Sequence, residues 1–492
     1  MPYIIAIDLG TTHCKAVVVT HKGEAIKTFK ADVESLQPQP GWHEQDAEKI
    51  FQSVLNLLRQ CFQLAGAEEI LCVSFSAAMH SMLAVDENGT PLTNAITWAD
   101  TRSKKYAQQL RASDTCIDIY ICTGTAIHAM SPLCKLLWLR HEAPEIFSKA
   151  YKFISIKEYI FYKLFGKYIV DEGIASSTGL LNVTTKQWYQ PALSLANIHE
   201  QQLSQVVNAT HTEKELLPEI KTLLNTLANI PFVIGGNDGA LANLGCGAMQ
   251  KQNAALTIGT SGAARILVQQ PLPLKEMKLF QYCLADEWYV TGGPVNNGGI
   301  VLQWFAENFL NMPLQTPGNF NRMMQLAAEA PTDSSDLFFI PYLLGERAPV
   351  WDEDACGIFY GLRMQHKLSH LARAVIEGIS FSLMQILQDI ENVYGTVQNI
   401  HTSGIIVQSD WWMQLLSDMS GKKIIASKGA DASAMGAAYI GMYAMGIIKN
   451  LRQAASFTET EKSFSPNYET HDVYKKHFQK FIRIYPATKN IS

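Results

Sequence analysis

Two segments of one design, IIAIDLGTTHCKAVVV at residues 4–19 and NAALTIGTSGAARILV at residues 253–268, constrain this chain more than any other feature. Each is an apolar, β-branched run, then a tight turn of glycine and hydroxyl residues, then a second apolar run, the pattern of paired strands around a polar turn. A unit that recurs at the head of each half points to duplicated domains. The boundary is expected near Gly245, giving an N-terminal domain 1–245 and a C-terminal domain 246–492. A chain of 492 residues also exceeds the size at which one hydrophobic core keeps growing.

Strands and helices alternate along both halves, which predicts an α/β class. AEKIFQSVLNLLRQCFQLAG places Ile50, Val54, Leu55, Leu58 and Phe62 on one helical face. ILCVSFSAAMHSMLAVDENGTPL returns to strand, with Asn88-Gly89 as the turn signal. HLARAVIEGISFSLMQILQDIENVYG reads as a long amphipathic helix through Leu371, Val375, Ile379, Leu383, Leu387 and Ile390. Residues 450–492 read as a peripheral segment with a polar, aromatic-bearing tail, and TCIDIYIC carries no functional signal.

With 17% charged residues and a net charge of −5, no basic field exists to hold nucleic-acid phosphates or an anionic membrane. Small molecules are the expected partners. No signal-peptide pattern and no run of about 18 apolar residues occurs, so a soluble, cytoplasmic protein is expected. The nine cysteines are scattered and include no Cys-x-x-Cys pair, so they read as reduced thiols, mostly in the core.

The turns carry the chemistry. Gly10 allows close backbone approach, and successive N–H groups with the hydroxyls of Thr11 and Thr12 can donate to phosphate oxygens. Gly259, Thr260 and Ser261 repeat this in the second half. Read alone, each turn only closes a hairpin; together they predict a phosphate cradle between domains. Asp8 cannot bind phosphate, but a carboxylate beside phosphates suits Mg²⁺, directly or through its waters. Lys15 can offset phosphate charge. Neither a P-loop nor a Rossmann glycine motif is present. Phosphoryl transfer further needs a base for the attacking hydroxyl, and GGNDG places Asp238 at the end of an apolar strand. The competing role for Asp238 is a helix N-cap.

Taken in order, DLGTT, GTSG, GGNDG, PYLLGERAPVWD (341–352), RAVIEGISF (373–381) and DASAMGAA (431–438) resemble the FGGY family of carbohydrate kinases over nearly the whole chain. The resemblance implies two ribonuclease-H-like domains of the actin, hexokinase and Hsp70 type, with an interdomain cleft that closes on ATP-Mg²⁺ and a sugar. It assigns Asp8, Gly10, Thr11, Thr12 and Lys15 to phosphate and metal, Gly259, Thr260 and Ser261 to the phosphates, and Asp238 to the base. Gly299 and Gln303, in NNGGIVLQWF, fall at nucleotide-side positions. Gly404, Ser409 and Ala434 are the expected adenosine wall. There the chain departs from the family's Gly-Gly pair, because Ile405 follows Gly404. The competing role of ASAMGAA is close helix packing through small residues. A homodimer is in keeping with the family.

AAMHSMLAVDENGTPLTNAITWADTRS and TGTAIHAMSPLCKLLWL resemble gluconate kinases more than xylulokinases or glycerol kinases, as does Asp238-Gly239 in place of Asp-Asn. The resemblance lays Met79 and His80 along the sugar chain, with Trp98, Asp100 and Arg102 near it. Gluconate is an anion, so a cationic or donor group is needed for its carboxylate; Arg102, His128 and Lys135 are the candidates. For Arg347 an ion pair with Glu346 or a neighbouring acid is expected. The expected reaction is in-line transfer of the ATP γ-phosphoryl group to the terminal hydroxyl of D-gluconate, with Asp238 as proton acceptor. The alternatives are a xylulokinase or other ketose or polyol kinase, an ATPase switch of the actin or Hsp70 kind, and a catalytically dead binding protein.

Overall fold

Strand Tyr3–Leu9 runs through the middle of a sheet and is buried on both faces from Ile4 to Leu9. Its near-continuous apolar run follows from that position, since a strand covered on both sides has no solvated face to supply polar residues. The computed structural model describes residues 2–226, 228–332, 336–427 and 431–490. They group into two units: Met1–Met249 with Leu267–Thr291 and Asp431–Phe457, and Gln250–Ile266 with Gly292–Ala430 and Thr458–Ser492. The single division expected near Gly245 is thus interleaved, because two later segments rejoin the first unit.

In the first unit the sheet order is Thr212–Glu213, Phe232–Asn237, Ile70–Ala77, Tyr3–Leu9, His13–Thr20, Ala25–Asp32. The last three are antiparallel neighbours in sequence, with Asp8 opposite Lys15, whereas Ile70–Ala77 joins parallel to Tyr3–Leu9. Alternate residues go to opposite faces. Ile5 and Ile7 belong to the core that contains helix Ala47–Ala65, and Ile4 and Ala6 to the core of helices Asp238–Gly245 and Ala432–Ala444. Those two helices touch backbone to backbone: a Cβ on Gly436 would lie 2.0 Å from the Leu241 carbonyl oxygen. Leu83–Val85 leads into the turn at Asn88-Gly89, closed by Gly89 N donating to the Asp86 carbonyl at 3.0 Å.

The second unit repeats the design. Asn253–Ile258 is antiparallel to Gly262–Val268 and parallel to Asn399–Gly404, which is parallel to Lys423–Ser427. Helix Leu368–Tyr394 buries Val375, Ile379, Leu383, Leu387 and Ile390 as expected, with Leu371 half-buried. Residues 458–490 correct the reading of a peripheral tail. Thr460–Phe464 extends the sheet beside Lys423–Ser427, and helix Tyr468–Thr488 buries Tyr474, Phe478, Phe481 and Ile484. Its aromatics recur at helical spacing among polar residues, so the segment looks polar until one face is covered. Tyr474 donates to Glu377 Oε1 at 2.6 Å and accepts from Arg373 Nη2 at 2.7 Å.

Six of the nine cysteines, all free, are buried and Cys356 is exposed. Among the described residues no helix is long and apolar enough to cross a membrane.

Candidate active site

The turn after Tyr3–Leu9 is closed by Gly10 N donating to the His13 carbonyl at 3.1 Å. Asp8, just before it, is almost fully buried, and burial raises its carboxyl above the ordinary 3.8. Two hydroxyls and one cation oppose that rise. Ser76 donates to Oδ1 at 2.6 Å, Ser433 donates to Oδ2 at 3.0 Å, and Lys15 lies across the ladder. The Lys15 ammonium is paired with Asp431. Ser433 and Asp431 come from the start of helix Ala432–Ala444, more than 400 positions away, and nothing in the sequence links them to the opening turn. Thr11 is held from two sides: its hydroxyl accepts from Trp98 Nε1 at 2.9 Å and its carbonyl from Gln45 Nε2 at 2.6 Å. The Thr12 side chain is exposed and meets His13 Nδ1 at 2.9 Å.

One small cavity of about 20 Å³, room for a single water, is lined by Gly10, Thr11, Met79 and Trp98 among others. Turn residues and sugar-segment residues predicted separately thus share one wall. His80 adopts φ +67° and donates through Nδ1 to the Ser177 carbonyl at 2.8 Å. Its ring sits edge-on to Tyr282, with centroids 5.9 Å apart.

The polar residues beside it are engaged with the protein itself. Asp100 is buried; it accepts from the His43 N–H at 2.7 Å and from Arg102 N at 2.9 Å and Nη2 at 2.7 Å. Arg102 also donates to Glu44 at 2.7 Å and stacks 3.6 Å over Trp42. Lys135, a candidate for the substrate carboxylate, is fully buried and donates to the carbonyls of His80, Ile96 and Thr97 at 2.5, 3.2 and 2.8 Å. Burial pulls its ammonium down to about 7. The buried His128 accepts from Met130 N through Nδ1 at 3.1 Å. These geometries place Lys135 and Arg102 as organisers of the segment rather than exposed cations.

Asp238 opens helix Asp238–Gly245, and the N-cap is its neighbour: Asn237 Oδ1 accepts from Ala240 N at 2.8 Å. The competing N-cap role thus falls to Asn237. Asp238 is half-buried and its Oδ1 accepts from Gly239 N at 2.7 Å.

In the second unit, Gly259 N donates to the Ser261 carbonyl at 2.8 Å, while Gly299 N and Ile300 N donate to the carbonyls of Gly259 and Thr260 at 2.7 and 3.1 Å. The two glycine turns are therefore laced together. Gly404 has φ +89°, and a Cβ there would lie 2.0 Å from the Ile258 carbonyl oxygen, so no other residue fits. The half-buried Ile405 leans toward Gly299, its Cγ2 3.7 Å from where a Cβ would stand. Ser409 caps helix Asp410–Ser420 by accepting from Trp412 N at 3.2 Å, and Gln303 donates to Glu307 at 3.0 Å. Ala434 is fully buried in the first unit, in the core shared by helices Ala432–Ala444 and Asp238–Gly245.

Sequence reading gave Glu346 only as a partner for Arg347. It is fully buried and takes Asn296 N at 2.5 Å, Arg347 N at 2.8 Å and Asn297 Nδ2 at 2.9 Å, so it fixes the residues that precede the Gly298-Gly299 turn. Arg347 donates to the Val295 carbonyl at 3.1 Å. Desolvation raises the Glu346 carboxyl from 4.5 to about 7. A carboxyl raised on folding contributes stability that is full below its unfolded value and lost as pH climbs through the folded one. The melting temperature of the native protein should therefore fall between about pH 4.5 and 7 relative to that of Glu346→Gln, whose amide does not titrate. Parallel melting profiles for the two proteins from pH 4.5 to 8 would sink this assignment.

Residues 3–245 match the FGGY family of carbohydrate kinases, N-terminal domain, and residues 254–445 match its C-terminal domain. The chain belongs to the FGGY family of carbohydrate kinases. It is a phosphotransferase with an alcohol group as acceptor, and ATP is the donor in this family. The chain is 37% identical to a gluconokinase of Bacillus licheniformis over 99% of its own length and 96% of the relative's. Two solved structures from Lactobacillus acidophilus are similar at 34% identity. One is a gluconate kinase with TM-score 0.93, covering 99% of this chain and 98% of that one; the other is a ligand-bound xylulose kinase with TM-score 0.94, covering 99% of both. The fold is the ribonuclease-H-like α/β fold that the family resemblance implied.

Proposed function

We propose that this kinase transfers the γ-phosphoryl group of ATP to the terminal hydroxyl of D-gluconate, giving 6-phosphogluconate. The observation that carries the substrate is the full-length match, at 37% identity, to a gluconokinase. Asp238 accepts the proton of the attacking hydroxyl as the oxygen–phosphorus bond forms and the bond to the ADP oxygen breaks. Its carboxylate stands half-buried at a helix start, with Oδ1 accepting from Gly239 N at 2.7 Å. Thr11 and Thr12 in the first unit, and Thr260 and Ser261 in the second, donate to phosphate oxygens, while Gly10 and Gly259 close the turns that carry them. Gly299, Gln303, Gly404 and Ser409 belong to the nucleotide side, and Met79, His80 and Trp98 to the sugar side. Asp100 and Arg102 hold the sugar segment in shape.

The donor set suits Mg²⁺. Asp8 is one buried carboxylate whose oxygens each take a single hydroxyl hydrogen bond, and Mg²⁺ is commonly held by one or two carboxylates with substrate phosphates and water completing its shell. Asp8 would hold it, and the bound ion would offset phosphate charge. Lys15 adds a positive charge beside Asp8.

The second reading is a xylulose kinase, favoured by the equally similar structure of that name. A coupled ADP-release assay with Mg-ATP and gluconate, xylulose, ribulose, glycerol or no sugar separates them. Gluconate-dependent turnover is expected. Turnover with xylulose alone would replace the substrate, and hydrolysis that ignores sugar would move the protein to the ATPase-switch class.

A further inference from the structure

We propose that Lys157 and Asp171 are positioning residues for Asp238: their buried ion pair anchors the end of strand Phe232–Asn237 and so aims the carboxylate at the acceptor hydroxyl. The proposal rests on the reading of Asp238 as the base.

Lys157 lies in the first turn of helix Ile156–Phe165 with its side chain 1% exposed, and its ammonium pairs with Asp171, whose side chain is 0% exposed. The same ammonium donates to the carbonyls of Ile234 and Gly236, each at 3.1 Å. Gly235, between them, has φ +69°, and a Cβ there would lie 1.7 Å from the Phe75 carbonyl oxygen. The ladder with Ile70–Ala77 slips at this point, between Val233 and Gly236. Lys157 therefore clamps the strand at its irregularity, two residues before Asp238.

Asp171 extends the clamp. Its Oδ1 accepts from Ile174 N at 2.9 Å and caps the short helix Glu172–Ser176, whose Gly173 carbonyl accepts from Asn237 Nδ2 at 3.4 Å. Asn237 in turn caps the helix that Asp238 opens. One ion pair thus fixes the strand end, the neighbouring helix and the cap beside the base.

The cost of this arrangement argues for a purpose beyond stability. A buried ion pair is often no more stabilising than apolar residues of like volume. Burial pulls the Lys157 ammonium below the ordinary lysine range, and Asp171, Glu158 and Asp238 oppose it. Asp238 therefore lies within electrostatic reach of the Lys157 ammonium.

The test is the charge-balanced double variant Lys157→Met/Asp171→Asn, which leaves no lone buried charge and keeps an oxygen to cap Ile174. With the best sugar acceptor of the native enzyme, kcat should fall about 10- to 100-fold, with KM for sugar and ATP changing less than threefold and a cooperative melt retained. A folded double variant with native kcat overturns the proposal, as does an equal loss in kcat and both affinities. Should the double variant not fold, Asp171→Asn alone decides by the same split in kcat and KM. Asp238→Asn, assayed alongside, separates the two ideas: if it keeps native kcat, the base assignment fails. If it loses kcat while the double variant does not, the positioning role alone fails.

Discussion

Asp238→Asn should lower kcat with gluconate by a factor of about 10² to 10⁴, the span a positioned general base contributes, while KM for gluconate and ATP stays within about threefold. Asparagine keeps the shape of the side chain and an oxygen for the Gly239 N–H that Asp238 accepts at 2.7 Å. What it loses is the ability to take a proton. The helix opened by residue 238 is capped by Asn237, so its start survives the change. The favourable placement of a negative charge at a helix N-terminus is removed, worth about 0.3–1 kcal/mol. A thermal melt with steady-state kinetics distinguishes the outcomes. Full activity in a folded Asp238→Asn protein would exclude Asp238 as the base and leave the acceptor proton to another group or to solvent.

Asp100→Ala should act on stability. Asp100 is buried and takes one backbone N–H from His43 besides its bonds to Arg102. Truncation strands that N–H and leaves a guanidinium that is 4% exposed with Glu44 as its remaining carboxylate. Breaking a buried ion pair from one side costs about 3–5 kcal/mol, which for a unit of this size lowers Tm by something on the order of 10 °C. Asp100→Ala/Arg102→Met should recover part of that loss, because the uncompensated charge is gone and methionine can still pack on Trp42. Differential scanning calorimetry of the single and double variants measures the coupling. An Asp100→Ala protein with native Tm and a large rise in KM for the sugar would show instead that the carboxylate binds substrate hydroxyls directly.

The two strand–turn–strand segments were legible because their signal is local. Asp8, Gly10 and Thr11 lie within four residues between two apolar runs, and Gly259, Thr260 and Ser261 repeat the design in the second half. The strands on either side had to be apolar, since both faces of Tyr3–Leu9 are covered. Asp238 was legible for the same reason, as an acid where an apolar strand gives way to small residues. The tail was misjudged because its buried aromatics recur at helical spacing, diluted by lysines on the exposed face of Tyr468–Thr488.

What the sequence by itself determined is the repeated strand–turn–strand architecture, the α/β class and the kinase family, because each is written in contiguous residues whose types answer to local backbone geometry and burial. Partnership was left to the tertiary structure. Ser433 on Asp8, Asp431 on Lys15, Trp98 on Thr11, Glu44 and Asp100 on Arg102, and Lys157 on the carbonyls before Asp238 all join residues far apart along the chain. A polar side chain's role depends on which donor or acceptor meets it after burial, and only the packing of distant segments supplies that neighbour.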